Sequence, residues 1–216
     1  DEVFLPFNYS HTAFIYNTES LPNAPQSFDE LLAADDSLSL VIQDPRSSIS
    51  GLALVLWVKS VYGARAESVW EQLAPKILTV TKGWSESYGL FTDGEADMVL
   101  SYTTSPAYHI VAEGDLTKKA AIFPEGHYFM VELAAKIAGT DNPELADAFL
   151  AFILTDTFQN LIPTGNWSLP AALPVPEWPE AFQELPLPEK VLFYSEDKAA
   201  DLRAETIEEW RRALSK

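Results

Sequence analysis

The 216-residue chain reads as an α/β protein with a largely parallel sheet. Two observations predict this. Short β-branched and apolar runs at 39–42, 77–81 and 97–102 are separated by helical periodicities at 52–62, 67–73 and 84–91. Hydrophobic residues make up 47% and aromatics 12%, enough for a real core at a size where roughly 70% of the unfolded surface is buried on folding.

Each element has its own signal. Residues 3–16 read as extended, with a break near Asn8-Tyr9-Ser10. Ser27-Phe28-Asp29-Glu30 is a capping box: Ser27 can accept from the amide of Glu30, whose side chain reaches back. A short helix over 29–34 follows. The run 52–62 is apolar on nearly every side, which a helix tolerates only inside a larger body. In 67–73, Val69, Trp70 and Leu73 fall at helical spacing, and Ser105-Pro106 opens a short helix with Pro in its first turn. Residues 121–123 and 127–133 read as extended. Asn142-Pro143 opens a long helix with Leu145, Phe149, Phe152 and Ile153 on its apolar side. Six prolines between 169 and 189 (Pro170, Pro174, Pro176, Pro179, Pro186, Pro188) predict semi-rigid extended coil. The last helix, about 198–215, carries an apolar stripe of Ala199, Leu202, Ile207, Trp210 and Leu214.

Charge and composition exclude several functions. With 14 basic and 32 acidic side chains the net charge is −18, which repels phosphate backbones and argues against nucleic acid. A cationic ligand suits it better. The absence of cysteine removes disulfides, thiolate catalysis and Cys-based metal sites. His11, His109 and His127 are far apart, show no ligand spacing, and read as surface or packing residues, so no metal is expected. No G-x-S-x-G elbow is present, and nothing supports an enzyme.

Three strand-end turns stand out. Gln43-Asp44-Pro45-Arg46-Ser47-Ser48-Ile49-Ser50-Gly51 leads from a strand into a helix. Its hydroxyls and unpaired amides suit an anion-binding nest, and they suit an ordinary N-cap equally. Lys82-Gly83-Trp84-Ser85-Glu86 repeats that layout, and Tyr102 to His109 forms a third turn with Tyr102 and Tyr108. Ligands of open α/β sheets bind beyond such strand ends. Trp167 lies in a Gly-containing loop. Each aromatic could be core or ligand platform; an indole face over a cation is worth ~0.5–2 kcal/mol.

These turns, together with Ile162-Pro163-Thr164-Gly165-Asn166-Trp167, resemble the periplasmic thiamine-binding proteins of bacterial ABC importers. The resemblance runs from about Val3 to the C-terminus. It implies a two-lobed type II periplasmic-binding-protein fold, with thiamine or its mono- or diphosphate as transported ligand, membrane permease subunits as partners and a periplasmic location; no cofactor is implied. Family members carry roughly a hundred further residues before the position of Val3, most of a first lobe. The chain accordingly resembles such a protein without that lobe. Residues 1–16 would be the connecting strand, 17–122 the second lobe, 123–131 the return connection, and 132–216 a C-terminal helical part of the first lobe. The apolar stripe of the last helix would then dock on a sheet outside the chain, and, left uncovered, would drive self-association. By position, Ser48, Ile49, Ser50 and Gly51 would meet the phosphate end, Trp84, Tyr102 and Tyr108 would line the cleft, and Trp167 would pack on the ligand rings. The family commonly has Thr then Pro where this chain has Ile49 and Ser50. Two other readings are an importer protein for ferric ion or a polyamine, and a thiamine-metabolism enzyme on the same fold. Tyr102 and Tyr108 are six apart, unlike the adjacent tyrosines of iron-binding relatives.

Overall fold

The computed structural model describes residues 4–215; Val3, the first residue of the expected opening strand, lies outside them. The chain order is β1 (Leu5–Asn17), α1 (Phe28–Ala33), β2 (Leu40–Gln43), α2 (Ile49–Tyr62), α3 (Ala66–Leu73), β3 (Ile77–Thr81), α4 (Trp84–Thr92), β4 (Met98–Tyr102), α5 (Ser105–Tyr108), β5 (Lys118–Ala121) and β6 (His127–Ala134). There follow α6 (Pro143–Phe152), α7 (Asp156–Gln159), α8 (Ile162–Gly165), β7 (Leu169–Pro170), α9 (Glu180–Gln183), β8 (Val191–Leu192) and α10 (Glu196–Leu214).

The sheet is mixed, not largely parallel. Its order is β3-β2-β4-β1-β6-β8, with β5 and β7 also paired to β1. The β2–β3 and β2–β4 pairs are parallel, as short crossover helices require. The difference comes from β1. This 13-residue strand runs antiparallel to β4, β5, β6 and β7. It is continuous through Asn8-Tyr9-Ser10; the expected break is only a register shift between Pro6 and Asn8. Its second half is buried between layers, while its first half leads out to β6 and β7.

Both faces of the sheet are covered. On one, α2 packs with α1 and α3 around Phe14, Phe28, Trp57, Trp70 and Phe123. Helix α2 is buried nearly all round, as its composition requires. On the other face, Tyr88 and Phe91 of α4 cover Ile15, Val41 and Val99. The Ser27 cap forms as expected, accepting from Glu30 N at 3.0 Å, while the Glu30 carboxylate accepts from Gln26 N at 2.8 Å, one residue beyond the reciprocal position.

Three expectations for the second half are corrected. The helix opened by Pro143 stops at Phe152, and Leu145, Phe149 and Phe152 are exposed; only Ile153 is buried. The proline-rich stretch is not open coil. Leu173, Trp178, Phe182 and Leu185 form a small core with Ala107 and Leu169, because the prolines fix φ without preventing the intervening apolar side chains from turning inward. Finally, the stripe of α10 does not wait for an external sheet. Leu202, Trp210 and Ala213 are buried, and Ala199, Ile207 and Leu214 are packed, in the α2–α3 core. Lys59 of α2 donates to Glu209 and Glu205 of α10 at 2.7 and 2.8 Å. Burial alone would lower the Lys59 pKa; the two carboxylates outweigh it and raise it. The part of 132–216 from Glu196 on thus packs on 17–122, so 132–216 is not one helical body. Self-association through an uncovered stripe loses its basis.

All three histidines are packing residues. Burial and then neighbouring His127 bring His11 down to about 4. His127 accepts from Phe123 N at 2.7 Å through Nε2 and donates to the Thr12 carbonyl at 2.8 Å through Nδ1. Among the described residues no single helix is long and apolar enough to cross a membrane; Pro143–Phe152 and Asp156–Gly165, bent by 64°, reach that length and composition only together.

Candidate ligand-binding site

A cavity of about 840 Å³ opens where the C-terminal ends of the parallel strands face β6 and the loop after α8. That is the position expected for a ligand site in an open α/β sheet, and the volume is that of a small-molecule pocket. Five of the residues singled out from sequence line it: Ile49, Trp84, Tyr102, Tyr108 and Trp167. Ser48, Ser50 and Gly51 do not; they lie behind its edge.

The turn before α2 shows why. Ser48 is the N-cap, its Oγ accepting from Gly51 N at 3.5 Å and paired with Ser50 Oγ at 2.8 Å. Ser50 is buried. Gly51 is needed for close approach: a Cβ there would stand 2.4 Å from the Gln43 carbonyl oxygen and 2.8 Å from the Asp44 carbonyl carbon. Only Ile49 reaches out, 65% exposed. Small residues that suit an anion nest are here used to seat the helix against the end of β2.

The aromatic residues are held differently. Trp84 begins α4 and is 38% exposed. Its Nε1 donates to Ser101 Oγ at 2.8 Å, and its ring stacks on Tyr88 with centroids 4.7 Å apart. Tyr88 pairs through its hydroxyl with His109 Nε2 at 2.9 Å, and His109 Nδ1 pairs with Glu113 at 2.7 Å. Burial raises the Tyr88 pKa, so its phenol stays protonated. The Trp84 ring is therefore backed by a polar chain that runs from buried Tyr88 and His109 out to the exposed Glu113. Across the cavity, Tyr108 meets Trp167 edge-on, centroids 5.1 Å apart at 90°. Trp167 has φ +53, the left-handed region that non-glycine residues seldom occupy, and its other side faces Phe182 at 6.4 Å. Burial also raises Tyr102, while the Ser50 hydroxyl offsets part of that rise.

Sequence reasoning missed several lining residues. Asn8, Ser10, Tyr88, Glu113 and Glu132 all border the cavity. Asn8 and Glu132 are brought together only by the β1–β6 pairing, across 124 positions, so no local pattern could have marked them. Glu113 carried a findable signal, since it lies four residues after His109. His109, Glu113 and Asp115 have potential metal-ligand atoms within 4.8 Å of one another. Each of the three already has a protein partner: the Asp115 carboxylate accepts from Thr117 N, Thr117 Oγ1 and Lys118 Nζ, and Glu113 Oε2 takes His109.

The architecture is that of the type II solute-binding proteins, and the chain belongs to the bacterial extracellular solute-binding protein family, whose model matches residues 2–160. Within that family it is 48% identical, over its whole length, to the thiamine-binding periplasmic protein of Escherichia coli, and 48% identical to that of Brucella abortus biovar 1. The chain spans 65% of the length of each. A solved periplasmic thiamin binding protein superimposes with a TM-score of 0.95 at 48% identity, covering all of this chain and 67% of that one. A ferric binding protein from Campylobacter jejuni shares the fold at TM-score 0.78 and 14% identity.

Proposed function

We propose that this chain forms the larger part of a periplasmic solute receptor that binds thiamine, or its mono- or diphosphate, and passes it unchanged to the permease subunits of an ABC importer. The observation that carries this reading is the cavity wall itself: Trp84, Tyr108 and Trp167 face one space in which the charged lining residues are acidic. A thiazolium or aminopyrimidine ring gains from such faces, and a cation gains more than a neutral ring. The names of the 48% identical relatives support the same ligand and compartment. The phosphate end, when present, would lie over the Ile49 edge, towards Ser48 and the start of α2.

The reading includes a division of the chain. Residues 17–122, with α10 laid on them, would form one lobe; 1–16 and 123–131 would be the connections; and the segment from 132 through β8 would belong to the other lobe. It also includes binding without turnover: the Tyr88 hydroxyl beside His109 is buried and held protonated, and the 48% identical relatives are named as binding proteins.

Calorimetric titration of thiamine into the protein with its whole natural chain tests this. One saturable site per molecule is expected, with the ligand recovered unaltered by mass spectrometry. No heat, or a ligand of changed mass, overturns it.

A further inference from the structure

Glu132 sits at the cavity with both carboxylate oxygens oriented. Oε2 accepts from Asn8 Nδ2 at 3.2 Å, and Asn166 Nδ2 lies 3.3 and 3.4 Å from Oε1 and Oε2. Asn8 is almost completely buried in β1, so one side of this arrangement is fixed by the sheet. Neutral amides orient the carboxylate without cancelling its charge. Among the described residues Glu132 forms no ion pair, and no Lys, Arg or His lines the cavity. The other lining carboxylate, Glu113, is engaged by His109. The charge of Glu132 is felt within the cavity, where it adds to the burial that raises Tyr102.

An anion held in this way, beside indole and phenol rings and without a countercharge, is half of a cation site. Aromatic faces already favour a cationic ring over a neutral one of the same shape, and a fixed carboxylate adds a charge-specific attraction to that selection. We propose that Glu132 is the specificity-determining countercharge for the cationic ring of the ligand, so that the cavity discriminates by ring charge and not by ring shape alone. This rests on the thiamine reading above. The same carboxylate also touches Asn166, next to Trp167, so a merely positioning role for Glu132 is the alternative that the test must separate.

The probes are thiamine and its thiophene isostere, in which carbon replaces the quaternary nitrogen and the ring charge is lost. Both are titrated into the wild-type protein and into Glu132→Gln, which keeps the side-chain shape and one acceptor oxygen. Wild type should prefer thiamine to the isostere. Glu132→Gln should weaken thiamine roughly five- to thirtyfold, as loss of a partly screened charge pair predicts, and the isostere less than twofold. Equal weakening of both probes would make Glu132 a positioning residue for the Asn166–Trp167 loop and overturn the proposal while leaving the thiamine reading intact. Unchanged affinity for both would overturn it as well. Failure of wild type to bind thiamine at all would overturn the thiamine reading, and this inference with it.

Discussion

The turn before α2 and the turn before α4 are built on one plan: a parallel strand ends, small residues follow, and a helix begins. Their uses diverge. In the first, Gly51 lets the helix start press on the Gln43 and Asp44 carbonyls, and the two serine hydroxyls bind each other. In the second, a Cβ on Gly83 would meet nothing within 4 Å, and Trp84 swings out to the cavity, pinned by Ser101. The same local grammar therefore yields a structural joint in one case and a cavity wall in the other. What separates them is how closely the helix approaches the strand.

Four substitutions test that contrast. Gly51→Ala should have the largest effect: its Cβ has backbone, not a movable side chain, in the way, so about 3 kcal/mol of stability should be lost in urea unfolding. Gly83→Ala in parallel should cost far less, and equal losses would erase the distinction. Trp84→Ala should weaken thiamine and its phosphates alike by about 1–2 kcal/mol in calorimetry, the value of one cation–π contact. A loss confined to the phosphates would relocate the ring. Smallest is Ser48→Ala, which removes a long cap bond and should lower stability by about 0.5–1 kcal/mol. Thiamine affinity should not change while the affinity for its phosphates falls; an equal loss for both would bring Ser48 onto the ring site.

Features governed by near neighbours were legible in the residues. Strand β3 begins and ends at Ile77 and Thr81 as read, Ser27 caps α1, and the apolar belt of α2 announced a buried helix. Trp84, Tyr102 and Tyr108 reached the cavity for a related reason, since a strand-end turn places its first side chains outside the sheet, while Trp167 reaches it from the loop after α8. Whatever depends on distant pairing stayed hidden. Four antiparallel partners for β1 leave no trace in its own alternation, and Asn8 and Glu132 meet only through that strand. The α10 stripe was visible, but its acceptor was not, because an amphipathic face records that it needs cover and not which surface supplies it. Proline density at 169–189 pointed to coil although Trp178 and Phe182 were there to be buried.

The six tryptophans divide in a way that makes the molecule its own optical gauge. Trp57, Trp70, Trp178 and Trp210 are buried, while Trp84 and Trp167 stand at the cavity, next to Tyr88 and Tyr108. Indole emission follows the polarity around the ring, so the four buried rings supply a steady blue background and the two open ones supply the part that responds to solvent. A soluble quencher reaches the second pair first, and anything that fills the cavity shields that same pair. Occupancy is thus written into the colour of the unlabelled protein, without a reporter group and without disturbing a single contact in the core.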